Sequence, residues 1–458
     1  MHKFFRIFST LVILASIPVG IYLVGRATGF FGKASGTPAD LVIDALSSFP
    51  DSHYSWKNLA QGGEEKGRMF ASVIDKVAAL HPNYIRIDHV FDMYDVISRN
   101  GGSPSGGISF NWTNLDQTIN DITAAGAKPF ISLSYMPPQI SKSGDPTDIP
   151  TNWADWELIV QRMIEHVSGT LGISNVYYEV WNEPDLFGQF KVYGPKNYFD
   201  LYAHSVAGAN RAAGTLPFKI GGPATTQLYE SWARDFAKFV ITNNLRLDFY
   251  SWHKYTTNLD SYDNNIINAQ IWLTESGLPN NLELIVSELG PNSKNDPAYD
   301  NGFGAIHAIA TTATMEDTVG KVFTFEVKDG PVNKWGILTN EKTGAVTAKP
   351  RYNALAFLNN MVGNHVRVTG QGSWVKAFAK TDGKVIRTLV VNYDPEGKHV
   401  EAVPLNFVNL LFRQFRYQRL DWGGGITKDI QVATDSPNWS TIELLNPNTA
   451  AIFEITPQ

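Results

Sequence analysis

The chain contains no cysteine among its 458 residues. This absence excludes disulfide bridges, thiolate metal sites and cysteine nucleophiles. The ten histidines are scattered, with no H-E-x-x-H pattern or other paired ligand spacing, so no metal site is expected. The sequence also lacks a G-x-S-x-G elbow and a glycine-rich phosphate loop after an early strand. We therefore expect any reaction of this chain to need no cofactor.

Positive charge is scarce as well. Lysine and arginine number 38 against 44 aspartates and glutamates, which gives a net charge of −6. Such a chain does not attract polyanions, so no nucleic acid partner is expected. Hydrophobic residues make up 43% of the sequence, which is ample for a buried core. The length suggests two or three domains, or one barrel with an additional domain.

Long uncharged runs are rare, and the one exception is the segment Ile7–Gly25, flanked by Arg6 and Arg26. As a helix it would span roughly 28 Å, close to the thickness of a bilayer core. It is longer than a usual signal peptide core, and no small-residue cleavage site precedes Arg26. Residues 1–26 are predicted to be a signal anchor, a single-pass transmembrane helix in the cell membrane with the remainder extracytoplasmic. The alternative is a cleaved signal and a secreted protein.

Residues 27–40 are predicted to be a linker, and residues 41–350 a (β/α)8 TIM barrel of the α/β class. The evidence is an alternation of strand-like runs with amphipathic helix patterns, which implies a parallel sheet. Seven runs are visible, and the first strand is expected between Ser47 and Leu59. An open doubly wound sheet is the structural alternative. The runs are Tyr84–Asp88, Lys128–Ser134, Val176–Trp181, Lys219–Gly222, Leu247–His253, Leu284–Glu288 and Val322–Val327.

The pattern of hydrophobic and polar residues changes after Pro350. One helix pattern is followed by short alternating runs, which are separated by glycine, aspartate and asparagine. Asp382-Gly383 between two such runs is a hairpin signal. Residues 351–458 are therefore predicted to form a C-terminal antiparallel β-sandwich that packs on the barrel.

Two glutamates close strand-like runs within the predicted barrel. Glu183 ends the run VYYEVWNE before Pro184, and Glu288 ends the run LIVSE three βα units later. Because functional groups of such barrels gather at the carboxyl ends of the strands, both could face one mouth. Two carboxylates about 5 Å apart are what a retaining glycosidase requires. Glu326, at the end of the next run, is a rival to Glu288.

The run YYEVWNEPD resembles the acid/base strand of glycoside hydrolase clan A, and most closely that of family 39. That family includes β-xylosidases, α-L-iduronidases and bacterial exopolysaccharide glycosidases. The resemblance extends over about residues 80–400. It includes the segments NLDQTINDITAAGAKPFISLSYMP, KIGGPAT, DFYSWHKY and the region from WGILT to KPRYNALAFL.

The resemblance implies a role for several residues. Glu183 would be the acid/base and Glu288 the nucleophile. Asn182 would bind the sugar 2-hydroxyl, Tyr255 would contact Glu288, and Arg86 would keep Glu288 ionised by lowering its pKa. The implied substrate-binding residues are Asn182, Arg86, His253, Tyr255, Trp335 and Tyr135.

The chain departs from the family pattern at three places. The second strand of the family reads Arg-x-His, but here Asp88 takes the last position and His89 follows it. Leu289 stands where an aromatic residue often follows the nucleophile, and Trp335 alone could supply the aromatic platform of strand eight. These departures bear on the choice of sugar, while both glutamates are retained.

The sequence therefore predicts a retaining glycoside hydrolase that acts on an extracytoplasmic oligosaccharide or polysaccharide. Two alternatives share the fold and the site. One is a glycan-binding surface protein without catalysis, which the presence of both glutamates disfavours. The other is a transglycosylase that passes the sugar to another sugar.

Overall fold

A computed structural model describes residues 36–50, 54–63, 65–99, 107–316, 320–332 and 334–458 of the chain. The predicted membrane helix over residues 1–26 lies outside the described residues, as does most of the predicted linker. Within the described ranges, no helix has both the length and the apolar character needed to cross a membrane.

Eight parallel strands close into a barrel, which confirms the predicted (β/α)8 fold. Around the barrel they run in chain order, and the last strand pairs with the first. Their residues are mostly buried, as expected where helices cover the outer face of a parallel sheet. The strands are β2 (Asn58–Gln61), β3 (Tyr84–Ile87), β6 (Lys128–Leu133), β7 (Val176–Val180), β8 (Phe218–Thr225), β9 (Phe249–Tyr255), β10 (Glu283–Gly290) and β11 (Lys321–Phe325).

Helices between the strands form the outer layer. Asparagine side chains at positions 152, 197 and 301 accept backbone N–H groups at three helix starts, which supplies the hydrogen bonds these ends lack. The helices are α1 (Ile74–Ala78), α2 (Thr113–Ala124), α3 (Trp153–Ile164), α4 (Tyr198–Arg211), α5 (Glu230–Thr242), α6 (Asp260–Glu275), α7 (Gly302–Met315) and α8 (Pro350–Leu358). A small hairpin pairs β4 (Ile97–Arg99) with β5 (Ile108–Phe110).

The remaining nine strands form a single sheet beside the barrel. They are β1 (Leu41–Phe49), β12 (Asn364–Thr369), β13 (Val375–Thr381), β14 (Ile386–Asn392), β15 (Glu401–Val408), β16 (Gln414–Asp421), β17 (Gly425–Ala433), β18 (Trp439–Leu445) and β19 (Thr449–Pro457). Their order in the sheet is β17, β16, β19, β14, β13, β12, β1, β15, β18.

The position of β1 corrects the predicted domain boundary, because residues 41–49 fall within the predicted barrel domain, whose first strand was expected between Ser47 and Leu59. Instead β1 pairs antiparallel with β12 and parallel with β15. Alternate residues of β1, Leu41 and Ile43, lie in the core of the sheet domain. Residues of the predicted linker also contact this sheet, since the Ala39 N–H donates to Glu401. The barrel therefore starts at β2.

The predicted sandwich is one continuous sheet that folds over on itself. Its two ends meet through side chains, because Tyr417 on β16 and Lys428 on β17 both contact Glu443 on β18. Buried side chains from eight of the nine strands fill the interior between the folded halves, and Val432 of β17, which is partly buried, packs against them. The β1–β15 pair makes the sheet mixed instead of purely antiparallel.

The other face of the sheet packs against the barrel. Phe378, Leu389 and Ile452 on this face join the main hydrophobic core of the barrel and its helices. A buried ion pair between Lys380 of β13 and Glu316, just after α7, also joins the two parts, with an N–O distance of 2.9 Å. One face of the sheet is thus part of the barrel core, in addition to the separate core between the folded halves, and this contact fixes the sheet behind α7.

Candidate active site

Arg86 on β3 organises the carboxyl end of the barrel. Its Nε donates to Glu179 at 2.7 Å, one Nη donates to Glu288 at 2.9 Å and the other donates to Asn182 Oδ1 at 2.8 Å. Burial disfavours its charge, but the carboxylates of Glu179 and Glu288 outweigh burial and raise the pKa of Arg86 above its ordinary value. Three of its donors are therefore committed to protein groups, and the guanidinium stays charged.

Glu288 near the end of β10 is held by three different residues. One carboxylate oxygen accepts from Arg86, and the other accepts from the Tyr255 hydroxyl at 2.6 Å and lies 3.3 Å from His253 Nδ1. Burial raises the pKa of Glu288, although His253, Arg86 and the hydrogen bond from Tyr255 oppose it. As predicted, Arg86 acts to lower this pKa, but loss of solvent outweighs the charge of one shared guanidinium and leaves the pKa of Glu288 above its ordinary value.

Glu183 sits on an unusual stretch of backbone after β7. Trp181 and Glu183 have φ values of 72° and 47°, in the left-handed region that costs about 1–3 kcal/mol for residues other than glycine. In an extended strand, Asn182 and Glu183 would point to opposite faces. The two left-handed residues bring both side chains to the same cavity. This strain is thus located where the chain presents its predicted acid.

His253 on β9 lies between the two glutamates. Its Nδ1 is 2.9 Å from an oxygen of Glu183 and 3.3 Å from an oxygen of Glu288. Burial alone would lower the pKa of His253, but the carboxylates of Glu288 and Glu183 raise it. Oxygens of the two glutamates lie within 4.8 Å of each other. The histidine therefore bridges the two carboxyl groups.

The same three side chains offer donor atoms close enough to surround a metal ion. A ligating imidazole nitrogen must be unprotonated. Here Nδ1 faces two carboxylates, and the raised pKa of His253 favours a proton on the ring. The donor set therefore suits proton transfer better than metal binding.

An open cavity of about 320 Å³ lies over these groups. Asn182 is held by Tyr135, whose hydroxyl accepts from the Asn182 amide at 2.8 Å. The Trp335 indole donates to the Lys294 carbonyl at 2.9 Å, which leaves its ring at the cavity wall. The lining is Gly63, Asp88, His89, Tyr135, Asn182, Glu183, Leu186, Phe187, Tyr255, Glu288, Ser293, Phe325 and Trp335.

All eight predicted site residues meet at this end of the barrel. Six of them line the cavity, while Arg86 and His253 lie directly behind it. Glu326, the rival nucleophile, is absent from the described lining, and one of its oxygens accepts from the Gln61 amide and the Gly62 N–H. Glu288 lines the cavity together with Glu183, and Glu326 is not in that lining, which favours Glu288.

Sequence reasoning missed Glu179, which is fully buried beneath Arg86. Its only sequence signal was a carboxylate within an otherwise apolar strand, since all five residues of β7 are buried. It also missed Phe187, Leu186 and Ser293, which come from loops of the rim and follow no strand pattern.

Comparisons with known proteins agree with this geometry. The model of the family described as glycosyl hydrolases family 39 matches residues 73–328. A β-xylosidase of Caldicellulosiruptor saccharolyticus is 27% identical over 233 residues, which are 46% of this chain and 47% of that enzyme. A β-xylosidase of Geobacillus stearothermophilus is 29% identical over 159 residues, which are 32% of this chain and 31% of that enzyme.

The chain thus spans about half the length, or less, of the β-xylosidases it matches in sequence. A wider likeness appears in the fold. The crystal structure of a monomeric β-xylosidase from Caulobacter crescentus CB15 superposes with a TM-score of 0.74 over 92% of this chain and 99% of that chain, at 17% identity. This likeness confirms the barrel with its accompanying sheet domain.

Proposed function

Because the chain belongs to the glycosyl hydrolases of family 39, we propose that it is a retaining glycosidase with Glu288 as nucleophile and Glu183 as acid/base. One observation carries the proposal. Oxygens of the two carboxylates lie within 4.8 Å of each other. Retaining enzymes need about 5–5.5 Å, whereas inverting enzymes leave more room for a water molecule.

In the first step, Glu288 attacks the anomeric carbon and Glu183 gives its proton to the departing oxygen. In the second step, Glu183 takes a proton from water, and the water oxygen displaces Glu288 from the same carbon. Two inversions give net retention. Glu183 alternates between acid and base, and a half-buried carboxyl at the cavity wall can reach both leaving group and water.

The neighbours support these roles. Arg86 and the Tyr255 hydroxyl bind separate oxygens of Glu288, which fixes its plane and stabilises the ionised form needed for attack. His253 contacts both carboxylates and compensates for the charge that moves between them. Asn182 is oriented by Arg86 and Tyr135 at the cavity surface. There its remaining amide hydrogen can reach a sugar hydroxyl.

We propose a neutral β-xyloside-type sugar as the starting point for substrate screening, because both sequence relatives are named β-xylosidases. We also propose that the glycan is extracytoplasmic. The support for this location is the uncharged segment Ile7–Gly25 behind Lys3 and Arg6. Fractionation of cells that express the full chain tests the location, and recovery with the cytosolic fraction would refute it.

The test of the chemistry is proton NMR of the first product formed from aryl glycosides. Retention means that the anomeric configuration of the released sugar equals that of the substrate before mutarotation. Inverted product would refute Glu288 as nucleophile. Binding of xylo-oligosaccharides without turnover would favour a glycan-binding protein, and transfer to added sugar in place of water would identify a transglycosylase.

A further inference from the structure

Asp88 is a third carboxyl group in the cavity, and the mechanism above does not use it. It follows β3 two residues after Arg86, so strand alternation directs it to the same side. The residue is 3% exposed and lines the cavity. Its Oδ1 is buried without a hydrogen-bond partner among the described residues. A buried carboxylate oxygen left unpaired is costly, so an unpaired one that borders a binding cavity points to a ligand.

The neighbouring cations are engaged elsewhere. Arg86 donates to Glu179, Glu288 and Asn182. His89 has a left-handed backbone, with φ of 55°, and its Nδ1 lies 2.8 Å from Asp92. Burial raises the pKa of Asp88, although the nearby charges of His89 and Arg86 oppose this rise. A side chain at Gly63 would collide with the His89 ring, so glycine is needed there to accommodate this arrangement. Asp88 is therefore not neutralised by a hydrogen-bonded protein cation.

The charges that line the cavity also indicate what kind of ligand it accepts. Three carboxyl groups line it, those of Asp88, Glu183 and Glu288. Among the described lining residues there is neither lysine nor arginine. A carboxylate on the bound sugar would meet these like charges without a lysine or arginine in the described lining to pair with, whereas sugar hydroxyls can donate to a carboxylate.

We propose that Asp88 is a specificity-determining residue that accepts a hydrogen bond from a sugar hydroxyl and excludes sugars that carry a carboxylate. The substrate of this chain is accordingly a neutral glycoside and not a uronide. This inference rests on the proposed function and extends it to the choice of sugar. It also gives a physical meaning to the replacement of the histidine in the Arg-x-His pattern.

The experiment compares kcat/KM for 4-nitrophenyl β-xyloside, β-glucoside and β-glucuronide, which share one leaving group. Glucoside and glucuronide differ only in the group on C5, a hydroxymethyl or a carboxylate. Wild type should prefer the xyloside, and the glucoside over the glucuronide by at least about 10-fold. Asp88→Ala should lower kcat/KM for the xyloside by about 10- to 100-fold, the range for a hydrogen bond to a charged group.

Asp88→Asn keeps the shape and removes the charge, so it should narrow the ratio of glucoside to glucuronide by about 10-fold. Glu283→Gln is the matched control, because it removes one carboxylate from the opposite end of the barrel. It should leave that ratio unchanged. Thermal melts establish that each variant is folded, and Asp88→Ser replaces any variant that is not.

An unchanged ratio in Asp88→Asn, or a xyloside kcat/KM within about twofold of wild type in Asp88→Ala, would overturn the proposal. If wild type hydrolyses none of the three glycosides, the proposed function fails instead. Intrinsic tryptophan fluorescence with xylose, glucose and glucuronate then decides the role of Asp88. Binding of glucuronate as tight as that of glucose in wild type would refute it.

Discussion

One barrel strand carries a glutamate near each end, and the two are held in different ways. Glu283 begins β10 and accepts from Lys219 at 2.5 Å, from Lys321 at 2.7 Å and from the Tyr177 hydroxyl at 2.9 Å. Glu288 lies five residues further along β10 and shares its partners Arg86 and His253 with other carboxylates. Burial raises the pKa of both, yet the lysines outweigh burial at Glu283 and lower its pKa, while the pKa of Glu288 stays raised.

The difference lies in the number of cations available to each carboxylate. Two lysines serve Glu283 alone. At the other end, Arg86 is divided between Glu179 and Glu288, and His253 between Glu183 and Glu288. A fully compensated carboxylate stabilises the fold but is a poor nucleophile or acid. The comparison thus reproduces, within one strand, the division of a barrel into a stabilising end and a reacting end.

The largest expected effect separates these two glutamates by the same substitution. Glu288→Gln should lower kcat/KM by roughly three to five orders of magnitude, because the amide cannot form the covalent intermediate. Glu283→Gln should stay within about twofold of wild type, since it lies outside the cavity lining. Steady-state kinetics on aryl glycosides measure both. Comparable losses of kcat/KM in the two variants would show that the two glutamates do not differ in function.

A second effect sharpens the roles within the reacting end. Glu183→Gln should lower kcat/KM by about 100- to 10,000-fold for substrates with poor leaving groups, which need a proton. Activated aryl glycosides should be partly spared, because their leaving group departs unprotonated. Glu288→Ala provides the contrast, since azide should restore turnover there with an inverted product. Equal loss of Glu183→Gln on both substrate types would contradict the acid/base role.

A third effect concerns the pH dependence of kcat/KM, which depends on the tyrosine hydroxyl that donates to each glutamate. Tyr255→Phe removes the hydrogen bond that opposes the raised pKa of Glu288. The acidic limb of the kcat/KM profile should therefore move to higher pH, with a loss of about 10-fold at the optimum. Tyr177→Phe at the other end should leave the profile unchanged. Measurements of kcat/KM across a range of pH test this prediction. An acidic limb that does not move in Tyr255→Phe would show that the Tyr255 hydroxyl does not influence the pKa of Glu288.

The smallest effect concerns stability and has opposite signs at the two ends. The lowered pKa of Glu283 contributes stability above its ordinary value of 4.5, which is lost as pH falls through the folded-state pKa. Glu283→Gln should therefore lose about 1 kcal/mol at pH 7, and the deficit should vanish in acid. Glu288→Gln should gain stability at pH 7, because the raised pKa of Glu288 favours the neutral form. Chemical denaturation at several pH values tests both signs.

The sequence predicts the site well because, in a parallel barrel, residues at the carboxyl ends of different strands lie at the same end of the fold. Glu183, Glu288, Arg86 and Tyr255 all lie at or just beyond the carboxyl ends of strands, where parallel strands converge. The direction of the Glu288 pKa could not be predicted in this way. It depends on how completely the folded chain excludes water and on how many groups share one arginine.

The sheet domain shows the other limit of sequence reasoning. The strand over residues 41–49 was not among those predicted from the sequence, and the strands that flank it lie more than 300 residues away. Hydrogen-bond pairing across such distances leaves no local signal. The same applies to Glu443, whose contacts join opposite ends of the strand order.

The placement of β1 between β12 and β15 has a consequence for the order in which the chain acquires its structure. During synthesis, residues 41–49 emerge long before the strands that flank them. This segment therefore has no pairing partners while the barrel is being synthesised. Loop closure of this length is entropically costly and slows folding. The barrel is in effect an insertion within the sheet domain. The sheet domain can reach its final state only after β19 has been synthesised, because β1 and β19 belong to the same sheet.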